Sequence, residues 1–207
     1  MKFYVRTTKE RKLHESYNQI NFTELVDVDH KPVESFISQL RKISNDDAVL
    51  LEDDLILCEN FYEKIYTIIE KYPDRIINFY TNPFYWFETQ ESDIFSYNQC
   101  TYYPKGISEK IAKEMENILH NPNVKLKNQY DCIEHFALKK LNIKHIIYRP
   151  CLVQHNDKNS LIQSKNIKIR KTPYFIDYLI KLNISYEQSK ELNNLNKIKD
   201  LSEYKNI

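Results

Sequence analysis

The stretch Val49-Leu50-Leu51-Glu52-Asp53-Asp54-Leu55-Ile56-Leu57 constrains the fold more than any other part of the chain. Three consecutive carboxylates interrupt an apolar run. Burying an unpaired carboxylate is costly, so these acids require water, a cation or the end of a strand. The apolar residues before them read as a buried strand. The carboxyl end of a central strand is where an open α/β sheet places its ligands. Hard oxygen donors suit Mg²⁺ or Mn²⁺, which keep waters and take one or two carboxylates plus substrate phosphates. Strand alternation sends Glu52 and Asp54 one way and Asp53 the other. Asp54 is therefore the expected metal ligand, with Glu52 or Asp53 turned to ribose, a metal-bound water or a supporting contact. The plain alternative is a turn followed by a helix cap.

Gly106 is the only glycine among 207 residues. That excludes a glycine-rich dinucleotide loop, a Walker A loop and a G-x-S-x-G nucleophile elbow. Any phosphate must be held by a metal and side chains. The length suffices for one domain with a real core. Net charge is formally +1, but residues 165–207 hold nine Lys/Arg against five Asp/Glu. Such a tail reads as a solvated helical extension, with contact to nucleic acid or anionic lipid as the alternative. No run reaches the roughly 18 apolar residues that span a bilayer. The N-terminus reads as a strand and lacks a signal-peptide core. Cys58, Cys100, Cys132 and Cys151 are scattered singly, as expected of reduced thiols in a cytoplasmic protein.

Periodicity and breakers predict strands over 2–6, 22–28, 48–51, 76–80 and 143–148. They predict helices over 32–43, 59–71, 109–119 and 131–141, the third capped by Ser108. Residues 101–104 read as an edge strand, 81–99 as an aromatic irregular segment, and 173–182 and 185–204 as terminal helices. Strands alternating with helices imply an α/β fold with a mostly parallel central sheet flanked by helices. The expected division is a catalytic domain over 1–164 and a helical C-terminal extension over 165–207.

Val49-Leu50-Leu51-Glu52-Asp53-Asp54 resembles the acidic metal-binding segment of GT-A-fold glycosyltransferases. The likeness is strongest to bacterial lipooligosaccharide-type transferases and the N-glycan-branching N-acetylglucosaminyltransferases. The later Pro150-Cys151-Leu152-Val153-Gln154-His155, with Ser160 and Leu161 beyond, resembles a P-x-L-x-Q-H-x-G-x-x-S-x-L segment of the branching group. Here Asn156-Asp157 departs from that pattern. The resemblance implies a GT-A-like (Rossmann-like) sheet and a cation, Mn²⁺ or Mg²⁺, held by Asp54, Asp53 and His155. It implies donor contacts from Arg6 and Thr7 after the first strand, and from Asp27 and Asp29 after the second. Glu52 and Asp53 belong to the same donor site. Arg149 and Lys158 are candidates for diphosphate contact. Asp131 sits where inverting members carry the general base, with Glu134 in reserve. Asp131 reads equally as a helix cap, and His155 alone reads as a satisfied loop histidine.

The reaction so implied is transfer of a sugar from a nucleotide diphosphate, a uridine diphosphate above all, to a hydroxyl acceptor. The acceptor is a bacterial glycan or, given the basic tail, DNA carrying a hydroxylated base. The aromatic run Tyr80–Phe87 reads as a stacking surface for sugar or base, or as packing. A Mg²⁺-dependent nuclease or phosphotransferase also fits clustered acids. A non-catalytic binding protein on a degenerate transferase fold fits the altered Asn156-Asp157 loop.

Overall fold

The computed structural model describes residues 1–8, 10–28, 31–80, 88–95, 97–121, 129–156, 172 and 175–181. Strand β1 (Lys2–Thr7) is flanked on both sides by parallel partners, β2 (Phe22–Val26) and β3 (Ala48–Glu52). Alternation along β1 and β3 explains why their residues are apolar without interruption. Phe3, Val5, Val49 and Leu51 enter one core with α2 (Phe61–Lys71). Tyr4, Ala48 and Leu50 enter a second core with α1 (Pro32–Lys42), α3 (Ile107–Leu119) and α4 (Tyr130–Lys140).

The remaining strands are β4 (Leu55–Leu57), β5 (Ile77–Asn78), β6 (Gln90–Ser92), β7 (Cys100–Tyr103), β8 (His145–Ile147) and β9 (Val153–His155). The main sheet has seven strands in the order β2-β1-β3-β7-β5-β8-β6. β7 runs antiparallel to both its neighbours and β6 antiparallel to β8, while the other strands share one direction. The architecture is therefore a mixed α/β sheet flanked by helices. A separate two-stranded ladder pairs β4 with β9.

Two expectations are corrected. Residues 100–103 form a central strand, not an edge, and all four are buried. Pro104 follows the last ladder position, so its missing N–H interrupts nothing. The Tyr102 hydroxyl donates to the Pro73 carbonyl at 2.9 Å, which lets a tyrosine sit in the interior. Ser108 is not the cap of α3: it is buried inside the first turn, and Gly106 precedes the helix at φ 81°. Only glycine adopts that left-handed backbone without strain.

Beyond residue 164, the described residues pack on the first core. Phe175 is buried in the first core, Cys151 bridges to Phe175, and α5 (Ile176–Lys181) follows directly. Asp177 on α5 accepts the Glu59 N–H at 2.9 Å. The expected helix over 185–204 and the aromatic segment 81–87 lie outside the described residues, as does nearly all of the basic tail. Among the described residues no helix is long and apolar enough to cross a membrane.

Candidate functional site

The carboxyl ends of β1, β2 and β3 lie side by side, with Arg6 opposite Glu52 and Thr7 opposite Val26. After Glu52 the chain turns through Asp53 and Asp54 and leaves as β4. Glu52 faces one way, toward Arg6, whose Nη1 lies 3.4 Å from Glu52 Oε1, and toward the Tyr130 hydroxyl, which donates to the same oxygen. Asp53 and Asp54 share Arg11, and the charge of Asp54 also acts on Glu52.

Asp53 is fixed on both oxygens. Oδ2 accepts the Thr8 N–H at 3.1 Å and Oδ1 accepts from Arg11. Asp54 Oδ2 lies 3.0 Å from Arg11 Nη1 and 3.3 Å from His155 Nε2. The β4–β9 ladder brings those two residues together, since Leu55 is the register partner of His155. The Asn156 N–H donates to the Asp54 carbonyl at 2.7 Å and closes the ladder's end. Both Asp54 and His155 are buried.

Burial pushes the Glu52 carboxyl up to about 7, helped by the charge on Asp54 and opposed by Arg6. Arg6 is correspondingly engaged. Its guanidinium lies 4.7 Å from the Phe36 ring centre and 4.2 Å from that of Tyr130, and Nε donates to Gln39 Oε1 at 2.8 Å. These contacts make Arg6 a strut under the acidic turn.

Other expected residues separate. Thr7 is nearly buried, and its hydroxyl donates to the Thr8 carbonyl at 2.9 Å. Asp27 lies beside it at the end of β2, its N–H bonded to the Thr7 carbonyl at 2.9 Å. Arg149 is only 3% exposed, and Nη1 donates to Cys151 Sγ at 2.7 Å and Thr172 Oγ1 at 3.4 Å. The guanidinium packed there braces the approach to β9. Asp29 and Lys158 lie outside the described residues.

Glu134 is fully buried, with Oε1 accepting from Tyr103 and Oε2 from Asn98, both at 2.6 Å. Burial pushes its carboxyl up to about 8. So placed, Glu134 ties α4 to β7 and to Asn98. Asp131, by contrast, is partly exposed in the first turn of α4, next in sequence to Tyr130, whose hydroxyl reaches Glu52. Its Oδ1 accepts the Cys132 N–H at 2.9 Å and leaves the side chain at the surface.

Sequence reasoning missed Arg11, Tyr17 and Tyr130. Arg11 lies in a charged connection with no periodicity. Tyr17, on a 3-10 turn over Glu15–Gln19, donates to the Glu52 carbonyl and pins the turn. Ser16 Oγ accepts the Leu57 N–H at 2.9 Å, and Gln19 Oε1 accepts the Phe61 N–H at 3.3 Å. The 3-10 turn thus locks onto β4 and the start of α2.

The residues present fit a divalent ion in part. One carboxylate and one imidazole suit Mn²⁺ or Mg²⁺ when phosphates complete the shell. Among the described residues no group of three His, Cys, Asp or Glu side chains is arranged to hold an ion. Arg11 also stands at the shared oxygen. A divalent ion about 4 Å from a guanidinium is repelled by roughly 8 kcal/mol at an effective dielectric of about 20.

No family model matches the chain, and no curated protein matches it. Among solved structures it is similar to A197 from STIV, at 11% identity and a TM-score of 0.46. The match covers 84% of this chain and all of that one. At that level of likeness, function is argued from this chain's own residues. They define an α/β protein with a charged site at the carboxyl edge of its parallel strands.

Proposed function

We propose that this protein is a glycosyltransferase on a GT-A-like fold. It moves a sugar from a nucleotide diphosphate, uridine diphosphate above all, to a hydroxyl of a glycan acceptor. The observation that carries this reading is the meeting of Asp54 with His155. Two segments far apart in sequence, each resembling a transferase motif, pair as adjacent strands with their side chains 3.3 Å apart. The acidic turn also sits where an α/β sheet binds nucleotides.

Asp54 and His155 would hold Mn²⁺ or Mg²⁺. When bound, such an ion neutralises charge on the departing diphosphate. Thr8 and Asp53 keep the turn in place through the backbone contact described above. Asp27 and the Thr7–Thr8 segment border the space at the ends of β1 and β2, where the nucleoside would lie. Asp131 would take the acceptor hydroxyl proton, a contribution of about 10²–10⁴ in rate. A two-metal nuclease is less well supported, because Glu52 is committed to Arg6 and Tyr130 and Asp53 to Thr8 and Arg11.

The test is a thermal-stability screen of nucleotide sugars with and without Mn²⁺. A donor at about 100 times its Kd adds roughly 2.7 kcal/mol of stability. One nucleotide sugar should stabilise the wild type only with Mn²⁺, and Asp54→Ala should abolish the effect. Metal-independent stabilisation that survives Asp54→Ala would overturn the reading.

A further inference from the structure

We infer that Arg11 is the resident cation of the acidic turn, and that a divalent metal reaches Asp54 only by displacing it. This inference rests on the metal reading above. One guanidinium nitrogen serves Asp53 and Asp54 together, the position a bridging cation would take. Among the described residues, the guanidiniums of Arg6 and Arg11 offset most of the charge of the three neighbouring carboxylates, Glu52 included. An ion arriving with Arg11 in place meets repulsion at its shortest contact.

The two arginines are anchored differently. Arg6 lies over the Phe36 and Tyr130 rings, which touch each other, and is bonded through Nε. Arg11 Nε is buried with no hydrogen-bond partner among the described residues, so the stem of its guanidinium is unsatisfied where it lies. Release to water relieves that cost. Arg11 also sits in the irregular connection between β1 and the 3-10 turn, where its N–H bonds the Thr8 carbonyl at 3.2 Å. The acids do not depend on it. Asp53 keeps the Thr8 N–H and Asp54 keeps the end of the β4–β9 ladder. Arg11 can therefore leave while the carboxylates stay. Once freed, it is a guanidinium beside the place a diphosphate would occupy, able to bond phosphate in a fork. Metal arrival and diphosphate capture would be coupled through one side chain.

The probe is Mn²⁺ alone, titrated into the full chain and followed by the resonance signal of the free aqua ion. Arg11→Gln should bind Mn²⁺ about tenfold or more tighter than wild type, and Arg11→Lys, which keeps the charge, should stay near wild type. In the wild type, trypsin cleavage after Arg11, identified by mass spectrometry, should accelerate when Mn²⁺ is added. Equal Mn²⁺ affinity in wild type and Arg11→Gln overturns the displacement and leaves the transferase reading standing. No Mn²⁺ binding by either protein overturns both. Should Arg11→Gln fail to fold by circular dichroism, the wild-type digestion decides, and unchanged or slower cleavage after Arg11 overturns the displacement.

Discussion

The side-chain amide of Gln154 pairs with the backbone of Thr172 as a neighbouring strand would: Oε1 accepts the Thr172 N–H and Nε2 donates to the Thr172 carbonyl, both at 2.8 Å. Oε1 also accepts the His155 N–H at 3.1 Å. Gln154 is fully buried. It therefore fixes the residue that faces Asp54 and fastens the segment leading to α5.

Replacing Gln154 by Leu keeps the approximate volume and removes all three bonds. Two buried backbone groups of Thr172 then lose these partners, which costs roughly 2–4 kcal/mol. Urea unfolding should show a lower midpoint with an unchanged slope. A loss below about 0.5 kcal/mol would mean that the pairing carries no weight.

Glu134 makes stability depend on pH. The unfolded chain ionises it near 4.5 and the folded chain near 8. Between those values the folded state holds the extra proton, so stability falls as pH rises. From pH 5 to pH 8 the loss from this group is roughly 3–4 kcal/mol. Glu134→Gln should flatten that slope, leaving the smaller part contributed by Glu52, and should match or exceed wild type at pH 8. Chemical denaturation at both pH values measures it, and equal slopes for the two proteins would refute the assignment.

Much of the scaffold is legible in the sequence because periodicity reports burial. The apolar run at Ala48–Leu51 and the helical spacing of Val33, Phe36, Ile37 and Leu40 both survive in the structure. The acids at the end of β3 are legible for the same reason. The contacts that make a site of them are not. Strand alternation assigns directions to Glu52, Asp53 and Asp54 only while the chain remains a strand, and it turns after Glu52. Arg11 and Tyr130 are drawn in by tertiary packing, which leaves no spacing to read. Glu134 and Asp131 look alike three positions apart on one helix, and only the buried Tyr103–Asn98 pair separates them.

Arg6→Lys tests the strut beneath the turn. A lysine ammonium cannot lie flat over the Phe36 and Tyr130 rings or hold Gln39 and Glu52 in the same fork. Partial loss of a buried pair leaves Glu52 poorly compensated, and the cost is about 2–4 kcal/mol. Equilibrium unfolding should register that loss. A lysine variant as stable as wild type would show that ring stacking and fork geometry at Arg6 are dispensable.

Asp131 and Glu134 can be separated by activity. Once a nucleotide sugar has been found by the stability screen, its Mn²⁺-dependent turnover can be followed by release of the nucleoside diphosphate. Asp131 is partly exposed next to Tyr130, so a substrate hydroxyl can approach it. Asp131→Asn keeps the oxygen that accepts the Cys132 N–H, so α4 should still form, but the variant cannot take a proton. Turnover should fall about 10²–10⁴-fold with little change in stability. Glu134→Gln, buried behind Tyr103, should retain turnover within about tenfold at pH 7. If Glu134→Gln is the inactive variant and Asp131→Asn the active one, proton transfer runs through the buried network, and the exposed position of Asp131 is incidental.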